Sequence, residues 1–255
     1  MGVLVAAGRR VLPRGWLDFW RQLAIWFGFL AAYQAARGVA DRNPARAFQN
    51  GLDVIGFERH AHSLIELTLQ RLVDGSHVLA LLAAWTYWNS EFTVVGLALL
   101  WVYLRRHYAF IRFRNSILLA NVFGLIGYVF LPTAPPRMFP DIGFADTLSD
   151  YGGLNHGSGL VEVVANPYAA MPSLHAADAL IVGLVLFSVC RTRWLKPLWL
   201  LWPAWVWFSV MATGNHFWLD VVAGIFVALI ALAVVYGRPW RRLRHLRRLR
   251  SQAAT

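Results

Sequence analysis

The chain has 255 residues, 58% of them hydrophobic and only 15% charged, with 13 Trp and 16 Phe. Soluble domains carry about 25% charged residues, so an ordinary water-soluble globule and a disordered chain are both excluded. The single cysteine, Cys190, excludes an internal disulfide and a thiolate metal cluster.

The net charge is +11, and its distribution separates two explanations. Nearly all the basic residues are Arg, and 17 of the 24 fall in four acid-free clusters. These are Arg9–Arg14, Arg105–Arg114, Arg191–Lys196 and the tail Arg238–Arg250. Basic clusters flanking long apolar runs follow the positive-inside rule of membrane proteins rather than the layout of a nucleic-acid groove, so no nucleic-acid partner is expected.

A membrane span needs about 20 mostly apolar residues. In chain order the candidates are Trp16–Ala36, His77–Leu104, Asn115–Leu131, Ser173–Cys190, Pro197–Thr213 and Phe217–Tyr236. The expected fold is therefore all-α, a polytopic cell-membrane protein with six transmembrane helices and both termini cytoplasmic. That parity places all four basic clusters on one side. The first run is too long, and too interrupted by Asp18 and Arg21, to be a cleaved signal peptide. Arg37–Ser76 is polar with helical periodicity in Leu64, Leu67, Leu69 and Leu72, the pattern of an amphipathic segment on the outer interface. The second span carries Asn89-Ser90-Glu91 at its middle and reads as one long, kinked helix. An outer loop rich in Gly and Pro, Pro132–Pro172, joins the third and fourth spans, and a loop of that length is commonly functional. The whole chain, 1–255, reads as one membrane domain ending in a basic cytoplasmic tail, 238–255.

Three short segments carry the chemistry: Pro132–Arg137, Ala170–His175 and Thr213–Asp220. The expected topology puts each at the outer end of a span, so Arg137, His175, His216 and Asp220 share one membrane depth, where ionisable side chains are costly and functional by default. His216 and Asp220 are spaced i, i+4 and meet on one helix face. A carboxylate beside an imidazole fixes its tautomer and makes the other ring nitrogen a better nucleophile. His175 is then available to protonate a leaving oxygen, and the Arg137 guanidinium suits phosphate. With Pro172 at the first helical position, the N–H groups of Ser173, Leu174 and His175 form an anion site at a helix N-terminus. Gly214 and Asn215, at the other helix start, are candidate phosphate-binding residues together with Arg137, Ser173 and Leu174. Four further residues are candidates for substrate contact or for orienting the histidines: Asp178, Tyr168, Asn166 and Glu91. No metal and no cofactor is expected.

These segments resemble the signature motifs of the type-2 phosphatidic acid phosphatase superfamily. Met171–His175 is similar to its second motif and the His216/Asp220 pair to its third. Pro-Pro-Arg ending at Arg137 is similar to the first motif in the branch containing fungal inositol phosphorylceramide synthase. The resemblance covers a catalytic core of about 112–236. It implies a six-helix membrane fold and a phosphohistidine intermediate, with His216 as nucleophile, Asp220 as its activator, His175 as acid/base, and Arg137 and Ser173 as phosphate ligands. The substrate would be a lipid-linked phosphate, with water or an alcohol as acceptor, at the extracytoplasmic face. In two places the chain departs from the superfamily pattern: Phe130 stands where a Lys is usual, and Val210 follows Ser209 where an Arg is usual. Both losses suit the synthase-like branch. Besides a phosphatase or phosphotransferase, the residues admit an inositol-phosphate-type transferase to a lipid alcohol, a metalloenzyme using His175, His216 and Asp220 as ligands, and a non-catalytic lipid-headgroup binder.

Overall fold

Leu174–Val189 is apolar on nearly every face, and such a helix belongs at the centre of a bundle. In the computed structural model, which describes residues 12–40, 43–151 and 167–252 and the side chains of 12–35, 43–149 and 167–237, it does lie there. Arg9, Arg10, Asn166 and the side chains of the basic tail fall outside the described residues.

The helices run in the order α1 (Gly15–Ala40), α2 (Pro44–His60), α3 (Glu66–Asp74), α4 (His77–Asn89), α5 (Val95–Arg105), α6 (His107–Phe130), α7 (Thr147–Tyr151), α8 (Leu174–Val189), α9 (Lys196–Ala212) and α10 (Trp218–Gln252). The described residues form no strand, only an isolated bridge between Thr133 and Ala169. The central helix α8 packs against α9, α10 and α6, and α6 in turn holds α1 and α5. Small residues let these backbones approach: a Cβ at Gly183 would meet the Trp199 carbonyl and the Pro203 ring on α9, and one at Gly124 would meet the Leu174 side chain.

The expected kinked second span is α4 and α5, joined by a single π-helical turn at Ser90–Val94. One extra residue in the ladder rotates Glu91 out of helical register, and such turns concentrate at functional sites. α6 and Trp218–Gly237 of α10 are long and apolar enough to cross a membrane. Leu17, Phe27, Val78, Leu97, Leu201 and Phe226 point outward from α1, α4, α5, α9 and α10, an apolar surface unsuited to water.

The segment ahead of α4 is helical and amphipathic, as its periodicity implies. Two helices form there, and α3 turns Glu66, Gln70 and Val73 inward while Leu72 is exposed. Leu64, Leu67 and Leu69 also pack, partly buried, against apolar clusters, and the inward carboxyl and amide groups meet backbone groups that need partners. The end of α6, the start of α8 and the start of α10 gather at one end of the bundle. At the other end Arg106 Nε donates to the Val189 carbonyl at 3.0 Å, bringing two of the basic clusters together.

Candidate active site

Proline density shapes the first segment. Pro132, Pro135 and Pro136 lack N–H donors, so the chain runs extended into a short 3₁₀ turn at Pro136–Met138. Its remaining N–H groups find distant carbonyls: Thr133 donates to Tyr168 at 2.9 Å, Ala134 to Ala47 at 2.9 Å and Arg137 to Gly214 at 2.8 Å. Gly214 sits at φ +71°, in the left-handed region that glycine tolerates, and its carbonyl is thereby turned to Arg137. The Arg137 side chain donates through Nη1 to Asn215 Oδ1 at 2.6 Å. Asn215 is itself fixed by donating to Thr213 O and Oγ1 at 3.1 and 3.0 Å. The guanidinium is thus locked to the segment that carries His216.

The second segment enters α8 after a cis Met171–Pro172 bond. Ser173, not Pro172, stands at the boundary: it is the N-cap, and its Oγ accepts the Ala176 N–H at 3.3 Å. The expected anion site at this helix start is correspondingly smaller. The Ser173 N–H is taken by the Asp220 carbonyl at 3.0 Å, which leaves Leu174 and His175 to supply its N–H groups. The Leu174 side chain is buried against Gly124.

His175 stacks on Tyr87 of α4, with ring centroids 4.4 Å apart and planes 17° from parallel. Its Nε2 lies 3.4 Å from Glu91 Oε2. The π turn therefore delivers Glu91 to an imidazole on another helix. Asp178, one turn further along α8, instead accepts two contacts from Asn121 Nδ2 of α6, at 3.2 and 3.1 Å.

The third segment breaks from α9 when the N–H groups of Asn215 and His216 both turn back to the Val210 carbonyl, each at 3.1 Å. His216 is buried. Its Nδ1 lies 2.9 Å from the Ala170 carbonyl and 3.4 Å from Asp220 Oδ2. Both are acceptors, so Nδ1 carries the hydrogen and Nε2 the lone pair. The carbonyl is the nearer partner; Asp220 Oδ2 also accepts the Phe217 N–H at 2.8 Å. Burial holds the His216 imidazole well below its ordinary titration range. The nearby Arg137 charge adds to that, and the Ala170 carbonyl works against it. A neutral ring is the nucleophilic form. The rings of His175 and His216 are 5.7 Å apart.

Of the residues singled out from sequence, the structure brings Arg137, Asn215, His175, His216, Asp220 and Glu91 together. It places Tyr168 against Phe48, 6.2 Å between centroids, beside the bridge at Thr133. Arg114 is spent on Asn115 and Gln22. The two family departures have different surroundings. The Phe130 side chain points outward, and its carbonyl accepts from Arg46 at 2.9 Å. Val210 is buried in an apolar cluster with Ala176, Ala179, Val206 and Val221.

Two residues that sequence reasoning passed over are Glu58 and Glu66, both fully buried. Glu66 Oε1 accepts the Trp218 N–H at 2.6 Å and Glu58 Oε1 the Leu219 N–H at 3.3 Å. A signal existed for Glu58: it continues the spacing of Ala47, Gly51 and Ile55 on the buried face of α2.

The PAP2 superfamily profile matches residues 52–234. The chain is 32% identical over 156 residues to a phosphoinositol dihydroceramide synthase of Bacteroides thetaiotaomicron, covering 56% of this chain and 50% of that protein. It is 28% identical over 123 residues to the inositol phosphorylceramide synthase catalytic subunit of Saccharomyces cerevisiae, covering 43% of this chain and 30% of that protein. The chain thus spans half or less of the length of these relatives. No solved structure matches it significantly. The three motif segments, their convergence at one end of the bundle and the profile match over most of the length agree: the chain belongs to the PAP2 superfamily.

Proposed function

We propose that this chain is an integral-membrane enzyme that transfers a phosphoryl-type group from a lipid-linked phosphate through a phosphohistidine intermediate. The observation that carries this reading is the pair of imidazoles 5.7 Å apart, one buried with its Nδ1 committed to acceptors and the other beside a carboxylate. The phosphate seats on Arg137, with the N–H groups of Leu174 and His175 at the start of α8 as further donors. His216 Nε2 forms a bond to phosphorus as the bond to the departing alkoxide breaks, and His175 gives that oxygen its proton. The acceptor hydroxyl then loses its proton to His175, and its oxygen displaces His216. Glu91 orients His175 for both half-reactions. Asp220 and the Ala170 carbonyl hold the His216 tautomer.

The names of the two relatives favour transfer over hydrolysis, with an inositol-phosphate donor and a ceramide-type alcohol as acceptor. In this reading α1, α4–α5, α6, α8, α9 and α10 are the six crossings, the termini are cytoplasmic and the site opens to the extracytoplasmic side. Purified protein incubated with phosphatidylinositol, with and without ceramide, tests it by following free inositol phosphate against transferred product. Wild type should trap an acid-labile phosphoryl adduct and remain active after exhaustive chelation, and His216→Ala should do neither. Full turnover by His216→Ala rules out the nucleophile, and loss of activity on chelation supports a metal held by His175, His216 and Asp220.

A further inference from the structure

The first N–H groups of α10 have no backbone carbonyl partner within their own helix. Here three in succession are taken by three carboxyl groups from three elements. Phe217 donates to Asp220 of α10 itself, Trp218 to Glu66 of α3, and Leu219 to Glu58 of α2. The second oxygens, Glu58 Oε2 and Glu66 Oε2, are buried and meet no N–H or O–H donor among the described residues. The two carboxyl groups interact with each other, and the third ionisable group acting on both is Asp220. Three ionised carboxylates with no counter-charge beside them among the described residues are prohibitively costly in so dry a place. A proton held between Glu58 and Glu66 removes one charge and satisfies both free oxygens.

We propose that Glu58 and Glu66 form a proton-sharing carboxyl pair that fixes the first turn of α10 and, through it, the position of His216 for phosphoryl transfer. The pair is a positioning device: neither residue touches the reacting atoms. Its reach extends to the Arg137 segment. Gln70, one turn beyond Glu66, donates to the Ala145 carbonyl at 2.8 Å, and these two groups crowd Gly214, where a Cβ would come within 2.7 Å of Gln70 Nε2. One face of α3 therefore holds both the His216 and the Gly214 ends of the segment. The inference rests on the reaction proposed above for His216, so the test has one arm that does not depend on activity.

That arm is amide hydrogen exchange over residues 213–221 of the full-length protein in detergent. Removing the acceptor in Glu66→Ala should speed exchange at Trp218 and Leu219 about tenfold, the scale of one hydrogen bond to a charged group. In the activity arm, Glu66→Ala should lower kcat about tenfold with KM within about twofold, the signature of a misplaced reacting group rather than lost binding. Glu58→Ala should behave alike, and Glu58→Gln, whose amide replaces the shared proton with a fixed donor, should restore both readouts. Burial and the neighbouring carboxylates push the Glu58 carboxyl up to about 9, so the alkaline fall of kcat should begin there in wild type and move upward in Glu58→Gln. Unchanged exchange and kcat in Glu66→Ala overturn the positioning role. An alkaline limb identical in wild type and Glu58→Gln overturns the shared proton. If wild type transfers no phosphate, or His216→Ala transfers as much, the reaction is wrong and the exchange arm still decides whether the pair holds α10.

Discussion

Asn215→Ala is the sharpest probe of how the site is assembled. Asn215 is buried, and its Oδ1 accepts the charge-assisted bond from Arg137 Nη1 at 2.6 Å. A hydrogen bond to a charged group contributes about 1.5–3 kcal/mol, and about 1.4 kcal/mol corresponds to a factor of ten. If Arg137 binds phosphate only when tethered, kcat/KM for phosphatidylinositol should fall about 10- to 150-fold. The lost Asn215 amide leaves Thr213 Oγ1 still donating to the Ser209 carbonyl at 2.8 Å, so the turn before His216 retains an anchor. The assay is initial-rate transfer to a fluorescent ceramide in mixed micelles, with the melting temperature recorded in parallel. The double variant Arg137→Ala/Asn215→Ala should be no worse than Arg137→Ala alone, because both act through one guanidinium. Full activity in Asn215→Ala, or strictly additive losses in the double variant, would refute the tether.

Reinstating the family's usual cation with Val210→Arg should not add a phosphate contact. Val210 is fully buried among Ala176, Ala179, Val206 and Val221, so an Arg there costs at least about 3 kcal/mol, read as a large drop in melting temperature or failure to accumulate. A stable, more active variant would show that this pocket opens onto the site. Stability should also depend on pH, with Glu58 and His216 acting in opposite directions. The Glu58 carboxyl, raised from 4.5 to about 9, keeps in the folded state a proton that the unfolded chain releases. Its contribution is complete below about 4.5 and is lost as pH climbs towards 9. The His216 ring, lowered from 6.5 to about 3, works the other way, its contribution present above 6.5 and lost as pH falls. Melting temperatures across pH 5–9 should therefore decline at the alkaline side in wild type and decline less in Glu58→Gln, and parallel curves would contradict the raised carboxyl.

Much of this arrangement is legible in the sequence, where the information is local. The i, i+4 spacing of His216 and Asp220 predicts their meeting at 3.4 Å, although His216 lies two residues ahead of α10 rather than on its face, and the Asn-Ser-Glu interruption marks the turn where α4 meets α5. The six apolar runs coincide, within a few residues at most boundaries, with α1, α4–α5, α6, α8, α9 and the apolar part of α10. Short-range periodicity sets helix identity because each backbone bond closes four residues away. The partners chosen across the bundle were not legible. Glu66 meets Trp218 across 152 residues and Glu58 meets Leu219 across 161, and no local pattern announces either pairing. From its sequence context Glu66 reads as a solvated residue, because a carboxylate usually belongs in water. Only the tertiary structure reveals the orphaned N–H groups at the start of α10 that make the interior the better place for it.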